Sequence, residues 1–175
     1  MILFRKQREI AGRFFLKRKL KKINRIVELK KINEIDSAGI FFDASSEECR
    51  KEAKSFIKRL KSKNIQTWSV GYFDTEKPDE NFISDKNLYF STLKDFSFFF
   101  LPKSDELKEF INRKVDILFV FSDNDAFPAK AVIKMSLAHL KVGITDTFDN
   151  VMDLTFEING NEPKKLIEQI ENYLE

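Results

Sequence analysis

Twelve lysine and arginine side chains are concentrated in the first 34 residues, where they could bind a polyanion. Only three acidic residues accompany them, so this arm (residues 1–34) carries a net charge of +9, whereas the body (residues 35–175) carries −6. The total of +3 therefore conceals a basic arm joined to an acidic body. Basic side chains along a helix neutralise phosphates and release counterions. The candidate RNA-binding residues are Arg5, Lys6, Arg8, Arg13, Lys17, Arg18, Lys19, Lys21, Lys22, Arg25, Lys30 and Lys31.

The charge pattern favours RNA as the polyanion. Five basic residues between Lys17 and Lys22 would cover most of a helix circumference, and Phe14 and Phe15 could stack on unpaired bases. Phosphate would repel the acidic body, so contact should be concentrated in the arm. No helix-turn-helix, zinc or basic-zipper signature points to DNA. We expect a non-enzymatic ribosomal or ribosome-associated protein anchored to rRNA, with ribosomal proteins as further partners.

Two other interpretations of the arm remain open. A basic amphipathic helix with Phe and Leu also fits an anionic membrane surface, which would make the chain a peripheral membrane protein. Alternatively, the helix is simply solvated and its apolar stripe packs on the body. No run approaches the ~20 apolar residues of a membrane span, and no secretory signal is visible. We therefore expect a cytoplasmic protein without a transmembrane segment.

Polar residues that follow two predicted strands form a second candidate site. In doubly wound sheets, ligands bind beyond the carboxyl ends of the strands. Carboxylates there could hold Mg²⁺, and hydroxyls at a helix start could bind phosphate. This arrangement would suit a small-ligand-binding module or a phosphate- or Mg-dependent enzyme. Since no Gly-rich phosphate loop is present, caps and turns explain the same residues more simply. The candidates are Asp43, Ser45, Ser46, Asp123 and Asp125, with Ser45 and Glu48 also predicted to form a capping box.

Nucleophilic catalysis has few candidate residues in this chain. His139 is the only histidine and Cys49 the only cysteine, which excludes an internal disulfide framework and leaves too few ligands for a Cys/His zinc site. His139 has no identifiable partner, and Cys49 falls on the apolar face of its predicted helix. We therefore expect no catalytic residue, no metal and no cofactor.

The elements that must position these residues alternate along the body. Residues 38–43 and 65–73 read as strands on either side of a helix, which makes a βαβ unit with a right-handed crossover. Residues 115–121 form a nearly continuous apolar run, typical of a parallel strand covered on both faces. Further strands are predicted at 96–101, 141–144 and 152–158.

This alternation predicts an α/β fold. It should be an open, doubly wound (Rossmann/flavodoxin-like), mainly parallel sheet of about five or six strands, preceded by a long basic N-terminal helix. Leu16, Leu20, Ile23 and Val27 recur at helical spacing, so we expect that helix to span residues 3–34. The periodicity is weaker from Met1 to Gly12, which leaves an extended tail or a separate short helix as the alternative there. The chain then divides into a basic helical arm, 1–34, and an α/β domain, 35–175.

Several segments together resemble a known family. They are the basic arm, the strand Gly39-Ile40-Phe41-Phe42-Asp43, the middle Lys114-Val115-Asp116-Ile117-Leu118, the pair Phe127-Pro128, and the segment Leu140-Lys141-Val142-Gly143-Ile144. The chain resembles an uncharacterised family of small bacterial, Bacteroidetes-type α/β proteins with a basic N-terminal helix. The resemblance implies a cytoplasmic bacterial protein with an α/β domain, and it carries over no catalytic residue.

Overall fold

A computed structural model describes residues 4–78, 82–158 and 162–175. Five α-helices and six β-strands are found there. In chain order they are α1 (Arg5–Leu20), β1 (Ser37–Asp43), α2 (Glu47–Ser62), β2 (Gln66–Tyr72), β3 (Leu88–Ser91), α3 (Asp105–Asn112), β4 (Ile117–Phe121), α4 (Phe127–Met135), β5 (Leu140–Ile144), β6 (Leu154–Phe156) and α5 (Pro163–Leu174).

The six strands form one parallel sheet in the order β3-β2-β1-β4-β5-β6. This is the strand order of a doubly wound α/β fold, and it confirms the predicted fold class. The central strand β1 pairs with β2 on one side and β4 on the other; Gly39, for example, lies opposite Trp68 and Leu118. The strand order reverses between β1 and β4, so the crevice between their carboxyl ends is the expected ligand position for such a sheet.

Helices cover both faces of the sheet. α2 and α5 pack on one face, and α1, α3 and α4 on the other, each over its own apolar core. The central strand β4 supplies both cores, because Ile117 and Phe119 face α2 while Leu118 and Val120 face α3 and α4. Successive side chains of a strand point to opposite faces, so a parallel strand covered on both sides must be apolar throughout. The prediction for residues 115–121 is confirmed.

α1 packs on α4 at a point of close approach around Gly12. A Cβ atom at Gly12 would lie 2.3 Å from the main-chain oxygen of Phe99 and 2.6 Å from the Phe127 ring. One turn further on, Leu16 is buried in the core shared with α3 and α4. The absence of a side chain at Gly12 therefore lets α1 lie directly against the body.

The prediction of one helix over residues 3–34 is wrong, because α1 ends at Leu20. A strap of extended chain follows (residues 23–31), and a short 3-10 turn, Ile32–Glu34, precedes β1. Val27 is 54% exposed rather than part of a buried stripe. The strap crosses the amino-terminal edge of the sheet. At its end, Ile32 is buried in the core on the α2 face. Contacts with the sheet edge thus replace the helical hydrogen bonds that the periodicity predicted.

The predicted strand at 96–101 is also wrong, and the strand beside β2 is instead β3. Residues 97–101 form a tight turn, in which Ser97 N donates to Leu101 O at 2.8 Å and Phe100 adopts a φ of +57°. The left-handed conformation of Phe100 is incompatible with a strand. The apolar run reflects side chains that pack around this turn, and not a position in the sheet.

Candidate functional site

Among the described residues, three ion pairs between side chains join the basic arm to the acidic body. Arg5 donates to both carboxylate oxygens of Asp74 at 2.9 Å. Arg25 holds Asp153 through two bonds of 2.6 and 2.7 Å, and also donates to main-chain oxygens at the start of β5. The forked guanidinium suits such two-bond pairing with a carboxylate. Part of the arm's positive charge is thus neutralised by acidic side chains of the body.

The third pair is Lys30 with Asp116, in which Nζ of Lys30 donates to Oδ1 of Asp116 at 2.9 Å. Asp116 also accepts hydrogen bonds from the main chain of Asp36 and from the main chain and hydroxyl of Ser37. Partial burial acts to raise the pKa of Asp116, but the hydrogen bonds from Lys30 and Ser37 lower it below its usual value. The strap is therefore fixed to the first residues of β1 and to the approach to β4.

Three further basic residues of the arm contact the body without an ion pair. The Arg8 guanidinium lies 4.3 Å from the Phe100 ring centroid and donates to the main-chain oxygen of Phe98. Arg13 lies over the Phe127 ring at 5.2 Å. Lys31 donates to the main-chain oxygen of Glu175 at 2.7 Å. These side chains contribute to the attachment of the arm to the body.

The other six predicted RNA-binding residues are exposed and form no ion pair within the described part of the chain: Lys6, Lys17, Arg18, Lys19, Lys21 and Lys22. All but Lys6 belong to the last turn of α1 and the turn that follows, and we call these five the basic cluster. Basic side chains stabilise the carboxyl end of a helix, where the helix dipole is negative. The helix dipole thus favours the cluster's position, but no acidic side chain among residues 4–78, 82–158 and 162–175 forms an ion pair with it.

Beside the basic cluster a groove of about 830 Å³ opens between α1, the 97–101 turn and the carboxyl ends of α3 and α4. Arg18, Lys19, Lys22 and Lys114 form its rim, and no acidic residue of the described chain lines it. Its wall is apolar, formed by Phe15, Phe99, Leu101, Ile111, Met135 and Leu137 with Ile23. The groove therefore combines an apolar wall with a rim of one charge sign.

A row of aromatic rings leads from the solvent to this groove. Phe14 contacts Phe15, Phe15 contacts Phe99, and Phe99 contacts Phe98, with ring centroids 5.8, 5.0 and 5.3 Å apart. Phe14 and Phe98, at the two ends, are 61% and 64% exposed. Exposed aromatic rings in series next to basic side chains form an apolar, partly positive surface that has no covering element among the described residues.

At the β1–β4 crevice, Asp43, Ser45 and Ser46, which were predicted to bind a ligand, form hydrogen bonds within their own turn and helix start. Asp43 accepts hydrogen bonds from the main-chain nitrogen and hydroxyl of Ser45, at 2.8 and 2.6 Å. Ser46, and not Ser45, caps α2 by accepting from the Cys49 nitrogen at 3.2 Å. The predicted capping box of Ser45 and Glu48 is therefore wrong, because the residue three positions after the cap is Cys49. Asp43 holds Ser45 in the turn after β1, which makes Ser46 the last residue before the helix.

On the other side of the crevice Asp123 is exposed and Asp125 pairs with the buried Lys130 at 2.7 Å. Lys130 also pairs with Asp149, and this hydrogen bond together with one from Lys134 lowers the pKa of Asp149 to about 2. No group of three or more His, Cys, Asp or Glu side chains suited to a metal ion occurs in the described ranges. Asp43, Asp123 and Asp125 are thus not gathered into a metal centre there.

Nearly the whole chain matches one known protein family. Residues 8–175 match the model of a family of unknown function, DUF6913. The chain belongs to the DUF6913 family. No curated protein and no solved structure matches it. The family match spans α1, from Arg8 onward, together with the entire body, so the groove between them lies within the region that defines a DUF6913 protein.

Cys49 and His139, the two residues considered for catalysis, both contact main-chain atoms of the fold in this DUF6913 chain. Cys49 is buried and lies 2.9 Å from the Phe121 main-chain oxygen, and burial raises the pKa of its thiol to about 12. A thiol of this pKa stays protonated at neutral pH and is a poor nucleophile. The main chain of His139 joins the strap to β5, because its oxygen accepts from the Glu28 nitrogen. None of the helices described here is long and apolar enough to cross a bilayer.

Residues outside the arm contribute to the groove of the DUF6913 chain, and sequence reasoning missed them. Phe99 and Leu101 fall in the predicted strand at 96–101, while Asn112 ends α3 and Lys114 follows it with no motif to mark either residue. The one available signal was Pro102, which directly follows the aromatic run and is typical of a turn.

Proposed function

We propose that this protein is a non-enzymatic RNA-binding protein that attaches to ribosomal RNA through the basic cluster and the groove beside it. The main observation behind the proposal is that the basic residues of the arm fall into two groups, one in contact with the body and one exposed to solvent. Those facing the body contact it, whereas Lys17, Arg18, Lys19, Lys21 and Lys22 point to solvent with no acidic partner among the described residues. A concentrated, unneutralised positive surface beside an acidic body is typical of a phosphate-backbone contact.

The docking of α1 determines how such a contact is made. Because Gly12 and Leu16 fix the helix on the body, the basic cluster is presented from a rigid surface and not from a free extension. The acidic body disfavours a phosphate backbone wrapped around the molecule. RNA would therefore touch one side of the protein and leave the rest of its surface facing solvent or neighbouring proteins, the geometry of a protein bound at the surface of a ribosomal subunit.

Charge reversal on the intact chain tests the proposal. The variant Arg18→Glu/Lys19→Glu/Lys22→Glu changes only exposed side chains. Its matched control is Lys51→Glu/Lys58→Glu/Lys61→Glu, which makes the same change in charge on the exposed side of α2. We expect the wild type and the control to co-sediment with ribosomes of the source organism in a low-salt sucrose gradient. The groove-rim variant should remain at the top.

Salt dependence gives the second readout. Binding of the wild type to ribosomal RNA should weaken steeply between about 50 and 200 mM salt. If the wild type does not enter the ribosomal fractions at low salt, or if both triple variants sediment equally well, the proposal is wrong. If the wild type instead floats with vesicles of anionic phospholipid and binds no RNA, the arm is a membrane-binding element.

A further inference from the structure

The groove beside the basic cluster differs from the cluster itself in having an apolar wall. Phosphate contacts need only the charged rim, and they gain nothing from Leu101, Ile111 or Leu137 at the wall. These side chains would favour an occupant with a flat or apolar portion that leaves water on binding. The rim of Arg18, Lys19 and Lys22 then requires that the same occupant be anionic.

An unpaired nucleotide meets both requirements. Its base is a flat aromatic ring that can stack on a phenylalanine, and its phosphate is an anion that a basic rim attracts. Phe15 and Phe99 stand at the junction of wall and rim, with their ring centroids 5.0 Å apart. The groove volume of about 830 Å³ lies within the range of small-molecule sites and exceeds what a single side chain would fill.

Two amide side chains give the groove hydrogen-bonding capacity of the kind that base edges use. Asn24 and Asn112 both line it, and neither side chain forms a hydrogen bond within the described residues. An amide offers two donors and one acceptor oxygen, which matches the mixed donors and acceptors of an exposed base edge. A lipid chain, by contrast, offers no donor or acceptor to either amide.

A double helix does not fit these features. In duplex RNA the bases are already stacked and paired, so only phosphates and sugars would reach the protein and the aromatic wall would stay exposed to water. The exposed Phe14 ring continues outward from Phe15 and offers a further ring to a neighbouring unstacked base, whereas Phe98 is covered by the Arg8 guanidinium at 4.4 Å. The same surface thus selects for single-stranded over double-stranded RNA.

We propose that the groove is a binding site for an unpaired nucleotide of single-stranded RNA, with the base against Phe15 and Phe99 and its phosphates on Arg18, Lys19 and Lys22. The site rests on the proposed RNA-binding function and specifies which form of RNA is bound. Asn24 and Asn112 contact the base edge.

Fluorescence anisotropy with the full chain tests this site. The probes are a labelled 12-nucleotide single strand, the same strand annealed to its complement, and vesicles of phosphatidylcholine and phosphatidylglycerol. Phe15→Leu keeps an apolar side chain beside Phe99 but removes the ring on which a base would stack. Phe4→Ala is the matched control, because Phe4 is 62% exposed at the opposite end of α1.

We expect the wild type to bind the single strand more tightly than the duplex. Phe15→Leu should weaken single-strand binding by about 5- to 100-fold, the range measured for loss of one base–aromatic stack. Duplex binding should stay unchanged, and Phe4→Ala should behave as wild type. Thermal melts of both variants establish that they are folded; if Phe15→Leu does not fold, Asn112→Leu on the exposed groove edge gives the same comparison.

Two results would overturn the groove site. If the wild type binds single strand and duplex equally and Phe15→Leu changes neither, RNA binding stands but the groove plays no part in it. If the wild type binds no RNA in either form, the proposed function itself fails; vesicle binding that Phe15→Leu abolishes would then assign the groove to lipid.

Discussion

At the scale of single residues, Lys141 is the least expected side chain in the structure. It lies on β5, is only 2% exposed, and its ammonium group has one hydrogen-bond acceptor among the described residues, the main-chain oxygen of Lys134 at 3.2 Å. Burial, reinforced by the nearby positive charge of Arg25, lowers the pKa of Lys141 to about 7. A buried amine of this kind loses its proton more readily in the folded than in the unfolded chain.

This shift makes stability depend on pH in a defined direction. The folded pKa of Lys141 is about 7 and the unfolded value 10.5, so between these limits the unfolded chain binds more protons and the free energy of unfolding rises with pH. Below about pH 7 the penalty for burying the charge is complete. We expect Lys141→Met to raise the free energy of unfolding at pH 6 by about 1–3 kcal/mol and to flatten its rise toward pH 9.

Urea denaturation at pH 6, 7, 8 and 9 measures both effects. Lys58→Met, an exposed substitution on α2, is the control and should change stability by less than about 0.5 kcal/mol at every pH. Parallel pH profiles for the wild type and Lys141→Met would contradict the assignment of the pH dependence to Lys141.

At the scale of elements, the close contact of α1 with the body requires the missing side chain of Gly12. Gly12 brings the helix against the main chain of Phe99, and the contact closes one side of the groove. Alanine is intrinsically the better helix former by about 1 kcal/mol. The Cβ atom, however, would lie 2.3 Å from a main-chain oxygen, which cannot swing aside as a side chain can.

We therefore expect Gly12→Ala to loosen α1 from the body while the sheet stays intact. Hydrogen exchange should show lost protection in residues 9–20 and near wild-type protection in β1 and β4. Gln7→Ala, exposed on the same helix, is the control and should leave the protection of α1 unchanged. Wild-type protection of α1 in Gly12→Ala would show that the helix is held by other contacts.

Elements formed by interactions between neighbouring residues could be predicted from the sequence, whereas those that depend on distant residues could not. The apolar run of β4 and the helix signals of α2 and α5 are local, so the alternation of strands and helices could be predicted. The turn at 97–101 could not, because Phe99 and Phe100 look like strand residues until their packing around α1 is known. The sequence also could not tell which basic residues of the arm pair with the body and which stay exposed. Arg25, for example, pairs with Asp153, which lies 128 residues further along the chain.

At the scale of the whole molecule, arm and body are not separable pieces. Ile32 is 1% exposed within the α2-face core, and the strap carries the pairs Arg25–Asp153 and Lys30–Asp116. A deletion of residues 1–34 therefore removes part of the core along with the basic cluster, and a loss of binding after that deletion could come from unfolding alone.

Two truncations should separate these contributions. The chain 23–175 keeps Ile32 and both strap ion pairs, whereas 35–175 loses them. Removing a buried isoleucine costs about 2–5 kcal/mol, so we expect 35–175 to melt roughly 5–15 °C below 23–175. Calorimetry measures the difference, and full-length protein is the reference. Equal melting temperatures for the two truncations would mean that the strap is only a surface attachment.

The strap also determines when the arm can reach its final position during synthesis. The partners of Arg25, Lys30 and Arg5 are residues 153, 116 and 74, all of which are translated after the arm has been made. At about 5–20 residues per second, Asp153 follows Arg25 by roughly 6–26 seconds. For that interval the nascent arm, with a net charge of +9, lacks at least one of its partners in the body while it lies next to the ribosome on which it is made.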